Sequence, residues 1–315
     1  MPACLNLPDG LHVDITDEQY HGDLLTEGPT LSRSLASTLI YQSPLHAYYE
    51  HPRLGGKPAK PEGEDAEAAE PAEPVAAADA PTRAMDYGDV AHKLLLGVNQ
   101  DMIAVGEWKT WQSKDAKKFR EDARAAGKTP ILAAQFEKAK RLFTVARQNL
   151  SSMGMLPYLD AALSHPVALF SEGDVRCRVQ FDKLLLVGDP VIFDFKITGS
   201  ANPKVCERQI QNMHYDLQDS TYRTACQRLW PTHAGREKFI FIFIEQAFPH
   251  AITPMECDGA FRTNGTAKWN HAVAVWRECM RRGQWPAYTN ETIKATPADW
   301  ALAETFGLKM PTFTI

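Results

Sequence analysis

The spacing of apolar residues changes period midway along the chain, and this change constrains the fold more than any other feature. Upstream, Tyr87, Val90, Ala91, Leu94 and Leu95 recur at i, i+3, i+4, i+7 and i+8, the spacing of a buried helical face. Further helices are expected from Gln112 to Ala126 and from Ala133 to Leu150. Ser32 stands where an N-cap would open an earlier one through Leu35, Leu39 and Ile40, and Ser43-Pro44 reads as the start of a second, aromatic-rich turn around Tyr48 and Tyr49. Downstream, Val175, Cys177, Val179 and Phe181 alternate with Arg176, Arg178, Gln180 and Asp182, which is strand periodicity with one polar face. On that reading Asp182 lies beside the two arginines.

A turn at Gly188-Asp189-Pro190 leads into Val191 to Ile197, an apolar strand interrupted by Asp194 and Lys196, which are two residues apart and so share a face. A hairpin centred near Gly188 would set Asp182 opposite Asp194, with Cβ atoms about 5 Å apart. A long helix is expected from about Val205 to Leu229. Ile210, Met213, His214, Leu217, Thr221 and Ala225 form its core stripe, with Gln211, Tyr215, Gln218 and Tyr222 along a neighbouring one. Phe239 to Ile244 has the composition of a central strand buried on both faces, and Trp269 to Arg281 that of a last helix. The fold class is therefore α/β, with a mostly helical N-terminal half.

Several function classes fall away on composition. No apolar run approaches the roughly 20 residues that cross a bilayer, so no membrane partner and a cytoplasmic location are expected. The six cysteines include no C-x-x-C pair, which argues against a zinc site, an iron–sulfur cluster or a disulfide framework. The net charge of −5 is concentrated in one place: seven acids and no base lie between Pro61 and Ala80, so about 53–83 reads as a flexible acidic insert. By contrast, Lys109 to Arg147 holds eleven Lys or Arg against four acids, a surplus that would attract a phosphate backbone or simply form a solvated helical face.

Two carboxylates on neighbouring strands are costly to bury unless a cation lies between them. Oxygen ligands suit Mg²⁺ or Mn²⁺, and Lys196 on the same face could orient water and stabilise charge developing on phosphorus. D-x-K by itself is more often an ordinary edge salt bridge, here Asp194 or Asp182 with Lys196.

The wider order is more specific. Gly88 and His92 on a helix, Asp182 after an alternating strand, Asp194-Phe195-Lys196, then Gln218-Asp219-Ser220-Thr221-Tyr222 together resemble the PD-(D/E)xK nucleases of the RecB-like branch. Tyr20-His21, Leu31-Ser32-Arg33-Ser34, Ser43-Pro44-Leu45-His46 and Ala91-His92-Lys93-Leu94-Leu95 extend the resemblance to RecE-type exonucleases, the exodeoxyribonuclease VIII group, over about residues 11 to 250 without the insert. It implies a restriction-endonuclease-like core, a central mixed β-sheet flanked by helices, within one nuclease domain over 1–315. Its expected parts are 11–52 (helical), the insert 53–83, 84–165 (helical, basic), 166–250 (catalytic α/β core) and 251–315 (helical).

The resemblance implies that His92, Asp182 and Asp194 ligate the metal, with the backbone carbonyl of Phe195 as a further ligand. Lys196 would be the catalytic lysine, and Gln218 and Tyr222 would contact DNA or brace the site. Gln211 and Tyr215 join them by helical phase, and Arg176 and Arg178 by their place on the polar strand face. The implied activity is a Mg²⁺-dependent exodeoxyribonuclease, with Mn²⁺ able to substitute. It would degrade linear double-stranded DNA from 5′ to 3′ and leave single strand for homologous recombination in a phage or prophage setting. A ring-shaped homo-oligomer, with a tetramer as the candidate, and a single-strand annealing protein are implied in the same way. Three alternatives stay open: a RecB-like nuclease of other polarity or an endonuclease, a catalytically silent DNA-binding protein that keeps the fold, and an unrelated enzyme in which the motif match is coincidental and the acid–lysine pair a structural salt bridge. Ile197 stands where relatives have threonine after the lysine, with Thr198 one place later. Glu172 is a further acid whose register the pattern leaves open, and the absence of a four-cysteine cluster removes the CRISPR-associated and AddB-like relatives.

Overall fold

The computed structural model describes residues 4–55 and 83–297; the acidic segment 61–80 and the tail beyond 297 lie outside the described residues. The first stretch forms β1 (Gly10–His12), α1 (Asp17–His21), β2 (Leu31–Ser32), α2 (Arg33–Tyr41) and α3 (Pro44–Glu50). Ser32 and Ser43 cap α2 and α3, each Oγ accepting from the backbone N–H three residues on, which satisfies a donor the helix itself cannot. The second begins with α4 (Arg83–Leu96), followed by β3 (Ile103–Gly106), α5 (Lys114–Ala125), β4 (Thr129–Leu132), α6 (Ala133–Ser152) and α7 (Leu156–Ala161). β3 and β4 pair in parallel across α5, a small unit that apolar periodicity does not signal because each strand is four residues long.

The remaining elements are β5 (Leu163–Ser164), β6 (Val167–Glu172), β7 (Val175–Gln180), β8 (Lys183–Leu185), β9 (Val191–Thr198), α8 (Pro203–Asn212), α9 (Tyr215–Leu229), β10 (Lys238–Glu245), β11 (Ile252–Met255) and α10 (Gly259–Arg282). They complete two larger sheets, ordered β1-β6-β7-β2 and β11-β10-β9-β8-β5. In the five-stranded sheet β9 and β10 run parallel, Asp194 opposite Phe241 and Lys196 opposite Phe243, and the other pairs are antiparallel. The parallel pair needs a crossover, which α8 and α9 supply.

Alternation along β9 and β10 sends successive side chains to opposite layers. Phe193, Phe195, Ile242 and Ile244 pack with Val90, Ala91 and Leu94 of α4 and Leu142 and Ala146 of α6. On the other face Ile192, Phe239, Phe241 and Phe243 pack with Leu217 and Ala225 of α9 and Trp269 and Trp276 of α10. Both faces are covered, which accounts for the nearly continuous apolar composition of these strands. Asp194 and Lys196 belong to the face turned toward α9.

Two expectations are corrected. The strand at Val175 does not pair with β9. It forms a hairpin with β6 in the other sheet, and the chain changes sheets at Asp182, so the partner of β9 is the three-residue β8, Lys183 opposite Phe193. Continuing that register one step sets Asp182 opposite Asp194, but at the mouth between the sheets. The long helix is also two. It breaks at Met213 and His214, where His214 takes a left-handed φ of 53°. Arg33 donates to the Met213 and His214 carbonyls at 3.2 Å and Tyr41 stacks on the His214 ring at 3.5 Å, so tertiary contacts brace the break. Met213 is consequently exposed and His214 half-exposed instead of core. Behind α9, α10 approaches so closely at Gly265 that a Cβ there would lie 2.1 Å from the Asp216 carbonyl oxygen. No described helix is long and apolar enough to cross a membrane.

Candidate active site

Because β8 covers only Val191 to Phe193, β9 continues without that neighbour, and its backbone meets a side chain instead. The Phe195 N–H donates to Asp182 Oδ2 at 2.8 Å. In an antiparallel ladder a residue's N–H and C=O face the same neighbour, so the Phe195 carbonyl leaves the strand on the Asp182 side as well. Helix α4 crosses this opening and brings His92 Nε2 to 2.7 Å from the same carboxylate oxygen. On the adjoining face Lys196 Nζ contacts Asp194 Oδ2 at 2.5 Å, and Gln218 Nε2 of α9 donates to Asp194 Oδ1 at 2.5 Å. A cleft of about 310 Å³ opens over the group, lined by Gly88, Asp89, His92, Phe195, Lys196 and Ile197.

The charges are interdependent. Burial would raise the Asp182 carboxyl, but His92 and Lys196 outweigh it and hold it below its ordinary value. Asp194 goes the other way: burial, only partly offset by Lys196 and reinforced by Asp182, pushes it up to about 6. Burial would lower His92 and Lys196, yet both lie above their ordinary values, His92 chiefly through Asp182 and Lys196 through Asp194 and then Asp182. Two acids and two bases thus neutralise one another in a space where an unpaired charge would be costly.

One residue here escaped the sequence reading. His165 sits just before β6, opposite Asp182 in the β6–β7 register, and its backbone N–H donates to the Asp182 carbonyl at 3.1 Å. The ligand atoms of His92, His165 and Asp182 all lie within 4.8 Å of one another. Burial pushes the His165 imidazole below its ordinary value, which keeps it in the neutral form that binds metal. Asp194 Oδ2, out of solvent, meets the Lys196 ammonium and finds no further hydrogen-bond partner among the described residues. This donor set, carboxylates and a backbone carbonyl together with imidazole, fits a divalent cation, and the imidazoles shift preference toward transition metals such as Mn²⁺.

The other expected site residues divide. Tyr215 carries Lys196 Nζ 4.6 Å above its ring, and Tyr222 packs edge-on against Phe181 and Phe239. Gln211 is exposed on α8, and the break at His214 removes it from the line of Tyr215, Gln218 and Tyr222. The arginines do not flank Asp182. Arg178 is buried with Nη1 2.6 Å from Asp23 Oδ1, and Arg176 pairs with Asp9 at 3.2 Å, so acids just after α1 and just before β1 engage both. Glu172, at the far end of β6, pairs with Arg228 at 2.8 Å and takes no part. Ile197 lines the cleft, while the Thr198 hydroxyl is engaged with Gln209 at 3.0 Å and does not support the lysine.

The family described as a PDDEXK-like domain of unknown function (DUF3799) matches residues 62–296, three quarters of the chain. The chain belongs to this PDDEXK-like family. No curated protein matches it. A crystal structure described as a "Putative exonuclease" from Eubacterium rectale aligns over 94% of this chain and 99% of its own at 12% identity and a TM-score of 0.54, a likeness of fold alone. The structure of SSO0001 covers 61% of this chain and 74% of its own at 11% identity, and its TM-score of 0.25 carries no argument. As a PDDEXK-like domain the α/β architecture is of the restriction-endonuclease-like kind, and the protein is a nuclease of that type. PDDEXK nucleases generally use divalent metals, in keeping with the donor set at His92, His165 and Asp182.

Proposed function

We propose that the protein is a metal-dependent exodeoxyribonuclease of the RecE type, degrading linear double-stranded DNA from the 5′ end to leave single strand for recombination. The observation that carries the nuclease chemistry is the convergence of His92, Asp182, Asp194 and Lys196 on one cleft of a PDDEXK-like domain. Polarity, duplex preference, a ring-shaped oligomer and an annealing partner rest on the motif order described above. In this reading His92, Asp182, Asp194 and the Phe195 carbonyl, joined by His165, hold a divalent cation, Mg²⁺ or Mn²⁺. Bound there, the cation would polarise the scissile phosphate and lower the pKa of an attacking water.

The chain's own groups then divide the remaining work. Lys196, as an ammonium, orients the water and stabilises the negative charge that grows on the phosphoryl oxygens. Tyr215 and Asp194 hold that ammonium in place from two sides. Gln218 fixes the Asp194 carboxylate, and the Phe195 N–H together with His92 fixes that of Asp182. The deciding experiment digests 5′- and 3′-labelled linear duplex and closed circular DNA with wild type and Lys196→Ala, with and without chelator. Metal-dependent loss of 5′ label by wild type, absent in the folded variant, is expected. Cutting of circles would make the enzyme an endonuclease, and activity in Lys196→Ala would overturn the role given to the lysine.

A further inference from the structure

Beside the cleft at Lys196 lies a second, of about 510 Å³, within the size range of small-ligand sites. Nothing in the chemistry above uses it. Its walls come from Tyr87 of α4, from Gln135, Lys138 and Arg141 of α6, from Gly199 just past β9, and from the loop after β10 that carries Phe248. β9 and β10 are parallel, so the cleft stands outside the carboxyl ends of adjacent strands, where open α/β sheets bind ligands. The two clefts share a rim. Tyr87 and Gly88 are successive residues of α4, and Ile197 and Gly199 are separated by Thr198 alone. A Cβ built at Gly88 or at Gly199 would meet no described residue within 4 Å, so bare backbone faces the passage between them.

The lining has a particular chemistry. Lys138 and Arg141 are exposed, one turn apart on α6, and neither forms an ion pair or hydrogen bond with a described residue. Their neighbours differ: Lys140 pairs with Glu137 at 2.5 Å and Arg147 with Asp160 at 3.0 Å. Unpaired cations lining a concave surface concentrate an anionic ligand. Phe248 is 84% exposed, while His250 behind it is buried and anchored through Nδ1 to the Glu245 carbonyl at 2.9 Å, so a fixed loop presents an apolar ring to solvent. Cations that hold a backbone, next to an aromatic face on which a base can stack, are the elements that bind unpaired nucleic acid. A duplex hides its base faces and has no use for such a ring.

We propose that this second cleft holds one strand of DNA leading to or from the scissile phosphate, with Lys138 and Arg141 on its phosphates and Phe248 stacked on a base. Its continuation toward the scissile phosphate rests on the reading of the Lys196 cleft as the place of cleavage. The test is fluorescence anisotropy of labelled oligothymidylate, alone and annealed to its complement, with the full chain in chelator across a salt series. Lys138→Ala with Arg141→Ala should reduce the slope of log affinity against log salt by about 1.4 for single strand. Phe248→Ala should weaken single-strand binding roughly 5- to 150-fold. Lys117→Ala with Lys118→Ala, removing the same charge from the exposed face of α5, should change neither. All these side chains are exposed, and melting curves check that the fold is kept. The proposal is overturned by undetectable single-strand binding in wild type, by unchanged binding in both cleft variants, by a loss confined to duplex, or by an equal loss in the α5 control. Failure of wild type to cleave DNA would instead reject the nuclease reading and leave these binding outcomes to stand by themselves.

Discussion

Gly88→Ala should stabilise the protein and impair it at once. Gly88 lies inside α4, with Arg83 to Tyr87 before it and Asp89 to Leu96 after it, and glycine in a helix interior costs about 1 kcal/mol relative to alanine. Packing does not explain the glycine, since a Cβ there meets no atom of a described residue within 4 Å. The substitution should therefore recover most of that 1 kcal/mol, raising Tm by about 2 °C in a chain of this size. The added methyl projects into the cleft one turn before His92 and beside Lys196, where the proposed substrate phosphate lies. Displacing a bound phosphodiester by about 1 Å can cost up to roughly 100-fold in rate. Thermal melting and initial rates of label release on linear duplex read the two effects separately. A fall in Tm would show that the glycine is needed for packing, and an unchanged rate would show that no substrate passes over this face.

Three further perturbations test other parts of the structure. Gly265→Ala should do the opposite to stability: with a Cβ 2.1 Å from the Asp216 carbonyl, α10 must retreat from α9, and a loss of about 1–3 kcal/mol in urea unfolding is expected; an unchanged midpoint would mean the contact gives way freely. Asp219, fully buried on α9 with neither carboxylate oxygen hydrogen-bonded to a described residue, is raised to about 7, chiefly by burial and partly offset by Arg223 and Arg262. Its folded pKa exceeds the unfolded one, so stability falls as pH rises from about 4 to 7, by at most about 4 kcal/mol. Asp219→Asn should therefore gain stability over wild type progressively across pH 5 to 7 and then level off, and a pH-independent difference would contradict this. His165→Ala should weaken Mn²⁺ binding at least about tenfold by titration calorimetry, whereas equal affinities would remove His165 from the ligand set.

Much of the site was legible because its signals are local. The stripe from Tyr87 to Leu95 fixes which face of α4 is buried and hence where His92 emerges, and all five stripe residues are in fact buried. Asp194 and Lys196, two apart on a strand, must share a face. The cap at Ser32 depends on three residues, whereas Ser43-Pro44 reads as a turn and in the structure opens α3. What failed depended on distant partners. Nothing around Arg178 announces that its counter-ion is Asp23, 155 positions away, so a buried structural pair read as an arginine free for DNA. The break at His214 carries no Gly or Pro signal and exists because Arg33 and Tyr41 arrive from α2.

Taken alone, the sequence determined the α/β class, the helix that carries His92 and the strand that carries Asp194 and Lys196, because helical and strand periods are written in neighbouring side chains. Tertiary structure decided where the chain leaves one sheet for the other. That switch at Asp182 places His165 across from it and exposes the edge of β9 to which the Phe195 amide turns. Such a junction follows from how two sheets share their cores, a balance of burial summed over the whole molecule that no local pattern encodes.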